Sequence, residues 1–169
     1  MPYDTHFPEA YDKFKSHNDL PSKFRNKLSE TELHTANAYD NSILYTDYIL
    51  SHCIKLLRES EGMAFLLYFS DHGEEVFDSQ QLSGRSFDNL TESLCRIPFF
   101  VWQNETYQKS NKLFIDLERP YSTDDVIHSM MDLIGVSYDK KDTCRSIFSP
   151  EFQPKVRKVN DKNFDEEVK

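Results

Sequence analysis

Glycine and positive charge are both scarce in this sequence. Only 4 of its 169 residues are glycine, which argues against a glycine-dependent phosphate-binding loop. The formal net charge is -9, so the chain lacks the basic face that non-specific nucleic-acid binding requires. The same charge argues against a surface that docks on anionic lipid through electrostatics alone.

Long apolar runs are absent as well. The longest uninterrupted run is Met63–Phe69, far below the roughly 20 residues that a membrane-spanning helix needs. The opening residues MPYDTHFPEA contain no basic start followed by an apolar stretch, so the sequence as given predicts neither a signal peptide nor an anchor. The length fits one domain with a hydrophobic core.

Cysteine occurs three times and never in a CxxC pair. The pattern therefore supports neither a cysteine-based zinc site nor a thioredoxin-type motif. An odd number of thiols cannot pair completely. The sequence leaves open whether Cys53, Cys95 and Cys144 form one disulfide and a free thiol or remain three buried thiols.

A long helical pattern runs through SETELHTANAYDNSILYTDYILSHCIKLLRES. Apolar residues recur there at three- and four-residue steps, which predicts one long helix or two that lie close together. Ser29 followed by Glu32 has the form of a capping box and predicts the start of this helix. Gly62 predicts its end.

Two apolar segments predict strands, and a second helix follows them. MAFLLYFS is typical of a strand buried on both faces, as in parallel sheets, and CRIPFFVW predicts another strand after a long polar loop. STDDVIHSMMDLIGV predicts a helix capped by Ser122 or Thr123 and closed by Gly135. Its expected inward positions are Val126, Ile127, Met130, Met131, Leu133 and Ile134.

This order of elements indicates an α/β fold with a mainly parallel sheet. We expect residues 1–160 to form the domain. Residues 161–169, DKNFDEEVK, are expected to be a charged, disordered tail.

An acid and a histidine stand side by side where the buried strand ends. Asp71 and His72 offer a carboxylate and an imidazole, which suit Zn²⁺. Consecutive strand residues point to opposite faces, so both reach one ion only where the chain turns, and Gly73 predicts a flexible turn there. Glu74 is a candidate partner that would fix the imidazole tautomer. Spacing alone leaves a metal site and structural hydrogen bonding equally open.

The motif YFSDHGEE, with YDNSILYTDYIL before it and RIPFFVW after it, resembles the phosphoethanolamine transferases. These membrane-anchored enzymes of the alkaline phosphatase/sulfatase superfamily decorate lipid A, core sugars or related glycans. THFPEAYDKF near the start, and RPYSTDDVIHSMMDLIGV followed by RSIFSPEF, extend the resemblance from Thr5 to Arg157. It implies the C-terminal part of a catalytic domain built as a three-layer sandwich.

The resemblance also implies roles for individual residues. Asp71 and His72 match the family's ligands to one catalytic zinc, so this chain would supply half of the ligands. His6, in the pair Thr5-His6, matches a histidine near the phosphate-bearing substrate, although a flexible terminal histidine is an equal alternative. Arg85 stands where the family usually has a histidine, and it can hold a phosphate but cannot donate a proton to a leaving group.

The family's nucleophile is a threonine at a helix start, which we expect upstream of Met1, so no catalytic nucleophile is assigned in this chain. The resemblance implies a phospholipid donor, a lipid A or glycan acceptor, and a location on the periplasmic face of the inner membrane. We expect the chain alone to be inactive, and either to self-associate through an exposed sheet edge or to bind a compensating partner. The alternatives are a sulfatase or phosphodiesterase of the same superfamily, or a degenerate, non-catalytic domain.

Overall fold

The computed structural model describes residues 3–22, 24, 27–86 and 89–168. The chain divides into two units. Unit 1 contains Met1–Glu59 and His72–Ile97, and unit 2 contains Ser60–Asp71 and Pro98–Lys169. No helix among the described residues is long and apolar enough to cross a membrane.

The chain contains both helices and strands, as the α/β class predicts. The helices are α1 (Glu30–Arg58), α2 (Glu92–Cys95), α3 (Glu105–Ser110), α4 (Val126–Ile134) and α5 (Phe164–Glu167). The strands are β1 (Phe65–Phe69), β2 (Glu75–Val76), β3 (Ser83–Gly84), β4 (Phe99–Gln103), β5 (Lys158–Val159) and β6 (Lys162–Asn163). Short 3₁₀ turns cover Tyr3–Thr5, Glu9–Tyr11, His17–Asp19, Thr123–Asp125 and Thr143–Arg145.

Helix α1 is continuous and starts as its capping box predicts. The Ser29 hydroxyl accepts a hydrogen bond from the Glu32 backbone N–H, and the Glu32 carboxylate accepts one from the Ser29 backbone N–H at 2.8 Å. The helix ends at Arg58, before Gly62, because the Glu59 N–H closes the last turn by bonding back to the carbonyls of Lys55 and Leu57.

The core of unit 1 lies against the first half of α1. Its buried apolar residues are Leu20, Leu33, Ala36 and Val76. A second contact is polar: the side-chain amide of Asn41, 1% exposed, bonds to the backbone N–H groups of Lys13 and Phe14 and to the Phe14 carbonyl. Asn41 thereby attaches the segment after Glu9–Tyr11 to the helix.

The polar stretch after His72 was expected to be a loop, but it contains a short hairpin. Strands β2 and β3 pair antiparallel, with Glu75 opposite Gly84 and Val76 opposite Ser83. Gly84 has a φ of 110°, a conformation that residues with a side chain rarely adopt. The sequence signal was weak because each strand has only two residues.

The sheet of unit 2 is antiparallel, which corrects the expected parallel order. Strand β1 pairs with β4 from Phe65 opposite Gln103 to Phe69 opposite Phe99. Parallel neighbours require a crossover connection, usually a helix. The chain between β1 and β4 instead contains a hairpin and the short helix α2, and it returns in the opposite direction. All strand pairs within the described residues are antiparallel.

Helix α4 ends as predicted, at Gly135 with a φ of 68°, but its buried face is narrower than predicted. Leu133 and Ser129 are buried, whereas Ile127, Met130 and Ile134 are 43%, 38% and 48% exposed. The buried face is set by two tyrosines: the Tyr107 hydroxyl donates to the Leu133 carbonyl, and the Tyr121 hydroxyl bonds to that of Ser129.

The C-terminal residues also differ from expectation. The described part of 161–169 forms β6 and α5 rather than a disordered tail. Arg157 explains this order, because its guanidinium pairs with Asp165 and lies over the ring of Phe164. All three cysteines are free thiols.

Candidate functional site

The two predicted zinc ligands lie at the point where the chain passes from unit 2 to unit 1. Asp71 is the last residue of the first segment of unit 2, and His72 is the first residue of the second segment of unit 1. The Asp71 side chain is exposed, and His72 is half-buried.

The imidazole of His72 is held in an orientation that suits a metal ligand. Its Nδ1 lies 2.7 Å from the carbonyl oxygen of Gly73. Because a carbonyl only accepts, this hydrogen bond places the proton on Nδ1, so Nε2 is the ring nitrogen that carries the lone pair. Sequence reasoning gave the orienting role to Glu74, which stays a prediction; the partner that the structure shows at Nδ1 is the Gly73 carbonyl.

Gly73 is needed for a close approach rather than for a flexible turn. A Cβ at this position would lie 2.0 Å from the backbone oxygen of Ser93, a distance that no real Cβ contact shows. The Gly73 N–H donates to the Leu94 carbonyl at 3.0 Å. Glycine therefore lets the backbone after His72 lie directly against α2 (Glu92–Cys95).

The donor types fit zinc, but the described residues do not assemble a complete shell. Carboxylate oxygen and imidazole nitrogen are ordinary zinc ligands, and a structural or catalytic site uses three or four protein ligands. Within the part of the chain that the structure describes, no group of three or more His, Cys, Asp or Glu side chains is placed to hold a metal ion.

A second cluster in unit 1 gathers the other predicted site residues. One carboxylate oxygen of Glu74 accepts a hydrogen bond from the Tyr3 hydroxyl at 2.8 Å. The other lies 3.8 Å from Nε of Arg85. The ring of His6 lies edge-on to that of Tyr3, with 6.4 Å between centroids. The fold therefore brings His6, Glu74 and Arg85 around Tyr3.

Sequence reasoning missed both tyrosines of this cluster. Tyr3 packs edge-on against Tyr39 of α1 (Glu30–Arg58), with 5.3 Å between ring centroids. Burial, together with the hydrogen bond and negative charge of Glu74, raises the pKa of Tyr3 well above its ordinary value, so its hydroxyl remains a proton donor. The available signal was the position of Tyr3, three residues before His6.

Glu75 stabilises the β2–β3 hairpin. Sequence reasoning did not predict a role for it. Its side chain is 0% exposed, and its carboxylate accepts from the Ser79 N–H at 2.7 Å, the Ser79 hydroxyl at 2.8 Å and the Thr91 hydroxyl at 2.7 Å. Burial raises the pKa of Glu75, but these hydrogen bonds outweigh it and lower the pKa below its ordinary value. Because Thr91 caps α2, Glu75 joins the hairpin to that helix.

Comparison with known proteins adds a family to this geometry. The family model described as Sulfatase matches residues 1–136. The chain is 38% identical to phosphoethanolamine transferase EptC of Escherichia coli K12, over 92% of this chain and 27% of that protein. It is 37% identical to phosphoethanolamine transferase CptA of Salmonella typhimurium, again over 92% of this chain and 27% of that protein.

A solved structure matches as well. The C-terminal periplasmic domain of Escherichia coli EptC, in complex with Zn, superposes with a TM-score of 0.83 at 36% identity, over 92% of this chain and 44% of that one. The chain thus spans about a quarter of the curated relatives and less than half of the solved domain. These matches confirm the sulfatase-like α/β fold. The chain belongs to the sulfatase family, in the branch that contains the phosphoethanolamine transferases.

Proposed function

We propose that this chain is the C-terminal portion of a zinc-dependent phosphoethanolamine transferase. The transferase moves phosphoethanolamine from a phospholipid to lipid A, a core sugar or another envelope glycan. The observation that supports this most strongly is the Asp71-His72 pair of the DHGEE motif, in a chain 38% identical to EptC over 160 residues. The zinc complex of the EptC domain supports the choice of metal.

In this proposal Asp71 and His72 bind one zinc ion, and the rest of its ligands come from outside this sequence. Zinc bound there would polarise a phosphoryl group and lower the pKa of a hydroxyl nucleophile. His72 is suited to the role because its Nδ1 is engaged by the Gly73 carbonyl. Gly73 contributes by allowing that backbone to lie against α2.

His6 and Arg85 act on the phosphate of the substrate. Arg85 is half exposed, and its planar guanidinium can bind two phosphate oxygens at once. His6 can donate a hydrogen bond or a proton to the leaving group. Arg85 pairs with Glu74, and His6 contacts Tyr3, whose hydroxyl bonds to the same Glu74 carboxylate, which supports a shared role.

The attacking group is a threonine outside this sequence, and the reaction passes through a phospho-threonine intermediate. The protein acts on the periplasmic face of the inner membrane. The chain alone lacks transferase turnover, and it self-associates through the free edges of the β1–β4 sheet. Purified chain that released product from a phosphoethanolamine donor would contradict the requirement for an outside nucleophile.

Zinc binding tests the metal assignment. Calorimetric titration of the purified chain is compared with that of the double variant Asp71→Ala, His72→Ala. We expect the affinity to fall by more than about 100-fold, because both ligands are removed. The matched control is the double variant His34→Ala, Asp139→Ala, which removes an exposed histidine and an exposed aspartate that lie elsewhere in the chain. It should bind zinc as the parent does. Equal zinc affinity in the parent and the Asp71, His72 variant would show that this pair is not the site.

A further inference from the structure

The register of the β2–β3 hairpin sets Glu74 beside Arg85. Glu75 lies opposite Gly84, so in an antiparallel pair the residues just outside are Glu74 and Arg85, which places their side chains as cross-strand neighbours. The contact joins Oε2 of Glu74 to Nε of Arg85 at 3.8 Å. The hairpin therefore fixes which acid accompanies this arginine.

The Glu74 carboxylate is itself held from its other side. Its Oε1 accepts the hydrogen bond of the Tyr3 hydroxyl at 2.8 Å, and the ring of Tyr3 rests edge-on against Tyr39 of α1. The Glu74 side chain is 18% exposed, compared with 50% for Arg85. The carboxylate is thus a fixed anchor, and the guanidinium extends from it towards solvent.

This arrangement prepares Arg85 for an anion. The contact with Glu74 is made through Nε, whereas the two terminal nitrogens form the fork that binds phosphate oxygens. An exposed arginine loses considerable rotamer freedom when it binds a ligand, and a side chain that is already oriented loses less. We propose that Glu74 and Tyr3 are positioning residues that hold Arg85 for a phosphoryl group of the substrate, a proposal that rests on the phosphate-binding role proposed for Arg85.

The direction in which Glu74→Gln changes the phosphate affinity distinguishes positioning from simple electrostatics. Glu74 is negative and lies next to the proposed anion site, so its charge alone repels a phosphate. If charge were its only effect, Glu74→Gln would bind phosphate more tightly. If Glu74 orients Arg85, the same change weakens binding, because the neutral amide holds the guanidinium less firmly.

The test is a ¹⁵N NMR titration of the purified chain with O-phosphoethanolamine, and in parallel with inorganic phosphate, at constant pH and salt. The readouts are the Arg85 Nε–H resonance and the dissociation constant. We expect Arg85→Ala to abolish binding, and Glu74→Gln and Tyr3→Phe each to weaken it about threefold to tenfold. The Arg85 Nε–H signal of the free chain should broaden or exchange faster in Glu74→Gln. Glu92→Gln, which removes the acid of the exposed Glu92–Arg96 pair in the same unit, is the matched control and should leave binding unchanged.

Two results would overturn the inference, and they differ in whether the proposed phosphate site at Arg85 also fails. If Arg85→Ala abolishes binding but Glu74→Gln binds as well as the parent or better, the positioning role is wrong and the phosphate site stands. If the parent and Arg85→Ala behave alike, including no binding by either, Arg85 is not the phosphate site and both proposals fail. Weaker binding in Glu74→Gln, with unchanged Glu92→Gln and unchanged thermal stability, supports positioning.

Discussion

At the scale of the residue, Glu75 shows how a buried charge is kept in this fold. A carboxylate with 0% exposure loses the hydration that stabilises its charged form. The Ser79 N–H and the hydroxyls of Ser79 and Thr91 replace that hydration, and hydrogen bonds to a charged acceptor are stronger than neutral ones. These donors, rather than an ion pair, lower its pKa.

The lowered pKa of Glu75 predicts an acid-sensitive stability. A carboxyl whose pKa is lower in the folded state stabilises the fold above its unfolded pKa of about 4.3, and this contribution is lost as the pH falls through the folded value. We expect the free energy of unfolding to decline as the pH falls below about 5. Glu75→Gln should lose about 1–3 kcal/mol at pH 7, because the amide faces three donors, and should show a shallower decline with acid. Urea unfolding at pH 7 and at pH 4 measures both.

The matched control is Glu105→Gln, which neutralises an exposed carboxylate paired with Lys109. It should leave the free energy of unfolding nearly unchanged at both pH values. A parent and a Glu75→Gln variant with parallel pH profiles would contradict the linkage.

Gly73 gives a second prediction at this scale. In Gly73→Ala the new Cβ would lie 2.0 Å from the Ser93 oxygen, so the backbone must move, at a cost of about 1–3 kcal/mol. Gly62→Ala is the natural comparison, because nothing lies within 4 Å of a Cβ there. We expect thermal unfolding to shift down only in Gly73→Ala. The reverse order would show that the close approach to α2 is not real.

The sequence located Asp71 and His72 but not what surrounds them. A buried strand that ends in an acid and a histidine is a local pattern, legible from consecutive residues. Glu74 contacts Tyr3, which is distant along the chain, and Arg85, which lies across a two-residue strand pair. Local spacing does not predict contacts of this kind. Sequence reasoning therefore considered only the neighbouring His72 as the partner of Glu74.

At the scale of the element, helix α1 contains two buried asparagines that differ in the hydrogen bonding of their side-chain amides. Asn41 is 1% exposed, and its amide bonds to backbone groups of Lys13 and Phe14 and to Asp12. Asn37 is 3% exposed, and both polar atoms of its side chain are without a hydrogen-bond partner in the described structure. The same residue type therefore stabilises the helix contact at one position and costs free energy at the other.

The same substitution should act in opposite directions at these positions. Asn41→Leu strands the N–H groups of Lys13 and Phe14 and should cost about 2–4 kcal/mol. Asn37→Leu removes an unsatisfied amide at similar volume and should be neutral or stabilising. Urea unfolding gives the sign, and hydrogen exchange at the amides of Lys13 and Phe14 should accelerate only in Asn41→Leu. Destabilisation by Asn37→Leu equal to that by Asn41→Leu would contradict the unsatisfied state of Asn37.

Two element ends were predictable from signals within one turn, whereas α1 ends before the predicted Gly62 and α4 begins at Val126, after the predicted caps Ser122 and Thr123. The capping box at Ser29 and Glu32 and the left-handed Gly135 are local rules, and both were confirmed. The direction of the sheet is not a local property. A strand as apolar as Phe65–Phe69 fits a parallel or an antiparallel neighbour equally well, and the connection decides between them.

At the scale of the whole molecule, the sheet of unit 2 has strand edges that no other described strand covers. Strands β1 and β4 pair only with each other among the described residues. Phe65 and Leu67 pack on the core of Tyr107, Leu133 and Phe148, so the alternating Leu66 points to the opposite face. A short apolar strand with a free edge is a template for pairing with a second chain.

We therefore expect the purified chain to self-associate, with a sedimentation coefficient that rises with concentration. Leu66→Lys places a charge on β1, on the face opposite that core; natural edge strands use such charges to block pairing, so the variant should shift the chain towards monomer. Leu117→Lys makes the same chemical change at a residue that is 91% exposed and outside the sheet. If association comes from the strand edge, only Leu66→Lys reduces it while circular dichroism stays unchanged. If both lysines reduce it equally, general surface hydrophobicity causes the association, and if the parent sediments independently of concentration, the free edge does not recruit a second chain.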